Sequence, residues 1–269
     1  MRIPIFQIDA FTDRLFRGNP AAVCILDRWL DDPVLLAIAA ENNLSETAFL
    51  VGGNGRYTLR WFTPEVEVNL CGHATLASAY VVFRELEPSL QEVLFDSRSG
   101  ELRVSRKDEL LTLDFPASHG QTCDCPDLLA QGLGRKPLEV LRNANYLCVF
   151  ADEEDIRSLT PDFPVLARLD AQCVIVTAPG RTVDFVSRMF APKIGIPEDP
   201  VTGSAHCLLA TYWAARTGKT RFTARQLSHR GGELECELRD ERVFISGRAV
   251  KYLQGEILIP SSTEEPTIP

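Results

Sequence analysis

The sequence has few of the features that mark membrane, secreted or nucleic-acid-binding proteins. It contains no run of about 18 apolar residues that could cross a bilayer. Its start also lacks the apolar core of a signal peptide. Acidic residues outnumber basic ones, with 37 Asp and Glu and 28 Lys and Arg, which gives a net charge of −9. We therefore expect a cytoplasmic protein that binds neither nucleic acid nor membranes.

Motifs of metal-dependent and hydrolytic enzymes are missing as well. The eight cysteines include no CxxC pair and the four histidines are scattered, so no zinc-binding spacing occurs. The glycine-rich stretch at 52–55 is not followed by the Gly-Lys-Ser/Thr of a phosphate loop. The serine-nucleophile pattern G-x-S-x-G is also absent around Ser204. We expect no zinc site, and we expect most cysteines to be small buried side chains.

The remaining composition is typical of a soluble globular protein that mixes strands and helices. With 45% apolar and 24% charged residues, 269 residues suffice for one large domain or two of about 130 residues. A helix is predicted from Asp31 or Asp32 to Asn43, and a short one near 152–159. The tail 260–269 is expected to be disordered. Strands are predicted at 3–11, 18–26, 44–51, 56–64, 92–96, 100–106, 109–115, 146–151, 171–179, 233–238, 241–246 and 255–259.

Two further helices lack a polar face. The stretch from His73 to Pro88 is apolar nearly all round until Arg84. The stretch from Ser204 to Gly218 is apolar over most of its surface. A helix without a polar face must be buried on all sides. The pattern therefore predicts strands wrapped around two buried helices, with His206 and Cys207 packed into the core.

A repeat connects these two helices. Arg60-Trp-Phe-Thr-Pro64 precedes Gly72 and the first buried helix, and Arg188-Met-Phe-Ala-Pro192 precedes Gly203 and the second. The order of strand, glycine turn and buried helix indicates an internal duplication. Two homologous halves would place a site in the cleft between them. Each helix N-terminus offers free N–H groups and a positive dipole end, which could hold a carboxylate or stabilise a carbanion beside one.

Glu46 is the strongest candidate for proton chemistry. Strict alternation in "LSETAFLV" places this acid within an apolar stripe of a strand. A partly buried carboxyl has a raised pKa, which suits proton transfer near pH 7. An exposed or helix-capping acid is the alternative interpretation.

Four more candidate residues lie near the glycine turns. His73 follows the first turn and Asp199 precedes the second, so facing halves would bring both to one space; each could instead only order its own loop or helix end. Cys71 lies at a helix N-terminus, where its pKa would be lowered and it could abstract a proton. The second half has no matching cysteine, and a single thiol of this kind is more often structural. Ser204 is expected to cap the helix or bind an anion rather than act as a nucleophile.

Five ordered blocks resemble the phenazine biosynthesis PhzF-like proteins. They are "DAFTDRLFRGNPAAV", "NLSETAFLV", "RWFTPEVEVNLCGHATLASA", "RMFAPKIGIPEDPVTGSAH" and "ISGRAV". The resemblance implies the α+β fold of diaminopimelate epimerase, in which two pseudo-repeated halves each wrap a sheet around a central helix. It implies a first half at 1–116, completed by a strand near 255–260, and a second half at 117–254. It also implies a homodimer that needs no cofactor or metal.

The same resemblance assigns roles to individual residues. The acid that carries the proton falls on Glu46, with His73 and Asp199 beside it in the site. Binding groups for a small carboxylate substrate fall on the first turns of the two helices, at Gly72, Ala74, Gly203 and Ser204. Epimerases of this superfamily use two cysteines, and here only Cys71 matches.

Three hypotheses about function follow. The first is a cofactor-independent isomerase that moves a proton on a small carboxylic acid, with Glu46 as general acid and base. The second is an amino-acid racemase or epimerase that uses Cys71 with Glu46 or Asp199. The third is a metabolite-binding protein without catalytic activity.

Overall fold

The computed structural model describes residues 1–259, and its strands and helices recur in two similar halves. The first half contains two α-helices, and a π-helical turn at Val82–Leu86 continues the second. These helices are α1 (Asp32–Asn42) and α2 (Gly72–Val81). The strands are β1 (Arg2–Ala10), β2 (Asn19–Leu26), β3 (Glu46–Gly53), β4 (Arg56–Phe62), β5 (Glu67–Val68), β6 (Glu92–Ser97), β7 (Gly100–Lys107) and β8 (Leu110–Pro116).

The second half has the longer central helix and three short helices. These helices are α3 (Asp127–Leu133), α4 (Glu153–Arg157), α5 (Phe163–Leu166) and α6 (Gly203–Thr217), with a 3₁₀ turn at Pro192–Ile194. The strands are β9 (Gln121–Thr122), β10 (Glu139–Arg142), β11 (Tyr146–Val149), β12 (Val174–Pro179), β13 (Phe185–Ala191), β14 (Ile196–Asp199), β15 (Arg221–Gln226), β16 (Gly232–Arg239), β17 (Arg242–Gly247) and β18 (Ala249–Leu258).

Strand pairing in the two halves follows the same pattern. In the first half β1 and β2 are antiparallel, β2 and β3 parallel, β3 and β4 antiparallel, and β4 and β6 parallel, followed by the antiparallel run β6, β7 and β8. In the second half β10, β11, β12, β13, β15, β16 and β17 pair in the same sequence of directions. The predicted fold class, α+β with two pseudo-repeated halves, is confirmed.

Two antiparallel contacts join the halves. Strand β8 pairs with β17, and β18 returns to pair with β1 along nearly its whole length. The last strand begins at Ala249, six residues before its predicted start at 255, because it pairs with β1 from Ala249 onward. The division of the chain into 1–116 and 117–254 stays a prediction. The predicted disorder of 260–269 lies outside the described residues.

Each half is built around its central helix. All residues of α2 except Tyr80 are buried, and the α-helix ends at Val81 rather than near Pro88 because the π-helical turn takes over. Helix α6 ends as predicted at Gly218, which adopts the left-handed conformation at φ 73°. His206 is fully buried and its ring stacks on Phe185. Among residues 1–259, no helix combines the length and the apolar character needed to cross a membrane.

In each half, one Arg–Glu ion pair stabilises the strand that precedes the central helix, and the two ion pairs match. In the first half Arg60 makes two hydrogen bonds to Glu67, at 2.7 and 2.6 Å. In the second half Arg188 makes the same two bonds to Glu198, at 2.7 and 3.0 Å. Arg188 also donates to the backbone carbonyls of Ile156 and Leu159. Glu198 is therefore held in a structural contact, although it lies next to Asp199.

Replacing Arg188 by alanine is expected to lower the free energy of unfolding by about 2–4 kcal/mol, because it leaves a largely buried carboxylate and two carbonyls without a partner. Urea denaturation measures this loss. Arg225→Ala is the control, because its ion pair with Glu233 is more exposed and should contribute less than about 1 kcal/mol. Equal losses in the two variants would contradict the assignment.

Candidate active site

Glu46 is the first residue of β3 and lies between the two halves. The parallel register of β2 and β3 sets it opposite Ala21, and it is 8% exposed. Burial raises the pKa of its carboxyl to about 8, and the negative charge of Asp199 adds to this effect. A contact with Cys71 lowers the pKa by a smaller amount. The structure contradicts the alternative that Glu46 is an exposed or capping acid.

His73 lies next to Glu46 on the first turn of α2. Its Nε2 atom is 3.2 Å from Glu46 Oε2. The two atoms are not aligned for a hydrogen bond, and neither has another partner within residues 1–259. Burial lowers the pKa of His73 to about 3, so the imidazole is neutral near pH 7. Both atoms are therefore available to a bound molecule.

Asn19 connects His73 to Asp199. Its Nδ2 atom lies 3.1 Å from His73 Nδ1, 2.8 Å from Asp199 Oδ1 and 2.9 Å from the carbonyl oxygen of Val201. Because Asn19 Nδ2 only donates, His73 Nδ1 accepts and the ring hydrogen belongs on Nε2. This hydrogen is thus directed to the side of Glu46.

Asp199 is the last residue of β14 and is almost fully buried. Its Oδ2 accepts a 2.5 Å hydrogen bond from Thr202 Oγ1. Burial raises the pKa of Asp199 to about 6, although the bonds from Thr202 and Asn19 oppose that rise. On raising the pH, Asp199 therefore ionises before Glu46. We call Asn19, Glu46, Cys71, His73 and Asp199 the Glu46 cluster.

Cys71 is part of this cluster, but the expected lowering of its pKa is wrong. The thiol is at the N-cap of α2 and lies 3.5 Å from His73 Nδ1. Burial raises the pKa of Cys71 well above its usual value, and the nearby charge of Glu46 raises it further. At this position the rise in pKa caused by desolvation is larger than the lowering expected from the helix N-terminus. Near pH 7 the group is a neutral thiol.

The two central helices begin side by side. A methyl group built on Gly72 would lie 3.4 Å from the Cα atom of Gly203, so the backbones of the two first turns nearly touch. Neither N-cap residue, Cys71 or Thr202, caps its helix with a side-chain hydrogen bond. Two positive dipole ends thus converge in a protein of net charge −9.

The remaining predicted binding residues differ in exposure. Ala74 is fully buried, so only its backbone could contact a ligand. Gly72 and Gly203 are buried as well, whereas Ser204 is exposed at the cleft. The structure therefore brings Glu46, His73, Asp199 and the two glycine turns together.

Three residues of the cluster could also hold a metal ion. One ligand atom each from Glu46, Cys71 and His73 lie within 4.8 Å of one another. The three ligand types suit Zn²⁺. Binding would require a thiolate and a carboxylate, whereas burial favours the neutral thiol and the neutral carboxyl. The predicted independence from metal stays a prediction.

Asn19 and Thr202 are members of the site that the sequence alone does not identify. Asn19 reads as part of a turn, although it stands in one of the blocks that carry the family resemblance. Thr202 occupies the helix N-cap in the second half as Cys71 does in the first. The repeat is the signal that could identify Thr202, because both residues directly precede the helix-opening glycine.

Comparisons with known proteins show the family of this chain. The sequence profile of the phenazine biosynthesis-like protein family matches residues 8–255. An uncharacterized isomerase of Pseudomonas aeruginosa is 55% identical over 257 residues, which cover 96% of this chain and 99% of that protein. The crystal structure of a phenazine biosynthesis protein of the PhzF family from Enterococcus faecalis is 46% identical and superposes with a TM-score of 0.94. The superposition covers 96% of this chain and 100% of the chain from Enterococcus faecalis.

A more distant structure supports the fold alone. A probable proline racemase from Agrobacterium radiobacter, crystallised with bound carbonate, is 13% identical and has a TM-score of 0.66 over 98% of this chain and 94% of that chain. The family match and the two similar proteins extend over almost the whole sequence. The chain therefore belongs to the phenazine biosynthesis-like protein family and is one of its isomerases.

Proposed function

We propose that this isomerase moves a proton between carbon atoms of a small carboxylic acid, with Glu46 as the general acid and base and without a cofactor. The observation that carries the proposal is the unpaired Glu46 Oε2 atom, buried beside His73 and at the junction of two uncapped helix N-termini. A buried carboxyl with a pKa of about 8 can both accept and return a proton near neutral pH.

The substrate carboxylate binds at the first turns of α2 and α6. The backbone N–H groups near Gly72, Ala74 and Gly203, with the Ser204 hydroxyl, supply the donors. When a proton leaves the neighbouring carbon, negative charge spreads into this carboxylate. The two dipole ends then stabilise the charge where it develops.

The proton itself moves through Glu46. Ionised Glu46 takes it from one carbon and, as the neutral acid, returns it to another carbon of the same molecule. No atoms are gained or lost, as an isomerisation requires. His73 stays neutral, and its Nε2–H, which has no partner within residues 1–259, donates to the substrate and orients it. Asp199 raises the proton affinity of Glu46 through its charge.

Solvent deuterium exchange tests the proposal whichever product the reaction forms. Small carboxylic acids are incubated with the protein in D₂O, and deuterium at carbon is followed by NMR. We expect exchange in at least one acid, because the proton on Glu46 can equilibrate with water between turnovers. Binding without exchange across the series would favour a non-catalytic binding protein.

Modification of Cys71 separates the isomerase from a thiol-based racemase. We expect Cys71→Ser to keep activity within about tenfold, since a neutral buried thiol is a poor base. Steady-state kinetics of the variant measure this. Cys24→Ser is the control for nonspecific effects, because that thiol is also buried but lies in the core under α1. A loss of about 10³-fold or more in Cys71→Ser alone would favour the racemase.

A further inference from the structure

A cavity of about 300 Å³ lies next to the Glu46 cluster, on the side of the second half. Thr202, Ser204 and Cys173 line it, and Thr202 also donates to Asp199. The cavity therefore adjoins the acid groups. Its volume is at the lower end of the range for ligand pockets.

The strand register shows which residues of the second half correspond to Glu46. Phe62 and Phe190 occupy the same place in the repeat. Phe62 pairs with the residue that follows Glu46, and Phe190 pairs with the residue that follows Cys173. Cys173 is therefore the counterpart of Glu46.

The other counterparts follow in the same way. In the first half, the β2 residue that lies three positions after Asn19 pairs with the β3 residue that follows Glu46. In the second half, the β11 residue that lies three positions after Asn143 pairs with the β12 residue that follows Cys173. Asn143 thus corresponds to Asn19. The residues that flank the helix-opening glycines match directly, Cys71 with Thr202 and His73 with Ser204.

All four counterparts, Asn143, Cys173, Thr202 and Ser204, line the cavity. In the first half the equivalent space holds Glu46 and His73. In the second half the smaller Cys173 and Ser204 replace them, and the space stays open. The duplication has thus produced an acid–base cluster on one side of the cleft and a chamber on the other.

We propose that this chamber receives the body of the substrate and selects a monocarboxylic acid whose remaining part is uncharged and partly apolar. The inference rests on the proposed function, because it assumes that the carboxylate lies at the two helix N-termini. It assigns Asn143, Cys173 and their neighbours to a binding site that the proton chemistry alone does not require.

The lining of the chamber determines this choice of substrate. Within residues 1–259, no Asp, Glu, Lys, Arg or His lines it. Phe115, Ile175 and Met189 provide apolar walls, and Asn145 and Ser204 provide polar groups. A second carboxylate or an ammonium group would lose its hydration here without gaining a partner of opposite charge. Dicarboxylates and amino acids are therefore disfavoured, and hydroxyl or carbonyl groups are accepted.

Alkylation of Cys173 tests this inference. Cys123, Cys125 and Cys173 are the partly exposed cysteines, and of these only Cys173 lines the chamber. The protein is treated with uncharged iodoacetamide, and the rate at each cysteine is followed by peptide mass spectrometry. Benzoate, phthalate and 2-phenylglycine are the competing probes, which share a ring but differ in charge.

We expect benzoate to slow alkylation of Cys173 about fivefold at a concentration four times its Kd, as simple occupancy predicts. Alkylation of Cys123 and Cys125 should not change. Phthalate and 2-phenylglycine at the same concentration should protect Cys173 less than benzoate. Equal protection by all three probes, or no protection by benzoate at any concentration, would overturn the inference.

A variant pair checks that the protection arises in the chamber. Asn145→Asp keeps the oxygen that accepts from the Cys173 N–H but adds a negative charge to the lining, so benzoate protection should be lost. Asn54→Asp in the β3–β4 turn adds the same charge far from the chamber and should keep it. Protection retained in both variants would contradict the proposed location.

This experiment can fail independently of the proposed function. Alkylation does not require proton transfer, so it is also carried out on Glu46→Gln. If exchange depends on Glu46 but benzoate does not protect Cys173, the chamber inference alone is wrong. If benzoate protects Cys173 but exchange survives in Glu46→Gln, the chamber stands and the role of Glu46 is wrong.

Discussion

Replacing Glu46 by glutamine is expected to reduce carbon–deuterium exchange about 10³-fold or more, because the amide keeps the shape of the side chain but cannot accept the proton. Solvent deuterium incorporation followed by NMR measures the loss. Glu41→Gln is the matched control, since Glu41 is exposed on α1 only five residues away. Exchange that persists at the wild-type rate in Glu46→Gln would refute the proposed mechanism.

The same substitution is expected to stabilise the protein at pH 8. Burial raises the pKa of Glu46 from 4.5 to about 8, so between these values the folded chain holds a proton that the unfolded chain has released. Stability therefore falls as the pH rises through this window. Glutamine resembles the neutral acid and avoids that loss, a gain of less than about 5 kcal/mol.

Thermal unfolding from pH 5 to pH 9 measures this gain. The wild type should lose stability with rising pH relative to Glu46→Gln, and the two curves should run parallel above pH 8. Glu41→Gln should follow the wild type throughout. A variant that loses both activity and stability at pH 8 would indicate a structural role for Glu46 instead.

The fold is largely predictable because its signals are local or repeated. The apolar helices that begin at Gly72 and Gly203 have to be buried, and the repeated segments at 60–64 and 188–192 indicate two halves around them. The helix predicted to extend toward Pro88 continues to Leu86, but its last turn at Val82–Leu86 is π-helical, and that change depends on tertiary packing. The early start of β18 at Ala249 depends on its pairing with β1.

The site is predictable only in part. Alternation along β3 identifies Glu46 as an acid in an apolar stripe, and the glycine turns identify His73 and Asp199. The bond from Asn19 to Asp199 spans 180 residues, and no local pattern indicates such a contact. The predicted pKa of Cys71 is wrong because a helix terminus is visible in the sequence, whereas the burial that outweighs it is not.

Asp199→Asn is expected to shift the pH dependence of catalysis to lower pH. The negative charge of Asp199 raises the pKa of Glu46, so its removal makes Glu46 ionise more easily. Activity requires ionised Glu46 as the base, and kcat/KM of the wild type should therefore rise with pH through about 8. In Asp199→Asn the same rise should occur at lower pH.

The maximal rate of this variant should also fall, on the order of tenfold to hundredfold, because Asn19 and Thr202 lose the carboxylate that orients them. The titration of Glu46 can be followed directly by ¹³C NMR of labelled glutamate, which does not require a known substrate.

Thr202→Val separates charge from geometry in this experiment. Valine removes the hydrogen bond to Asp199 Oδ2 but keeps the charge of Asp199. Since the pKa of Asp199 is about 6 in the wild type and the lost bond raises it, most of the charge remains when Glu46 titrates near pH 8. Glu46 should therefore titrate at lower pH in Asp199→Asn than in Thr202→Val. Identical midpoints would show that the charge of Asp199 does not set the proton affinity of Glu46, and that another group keeps this carboxyl protonated.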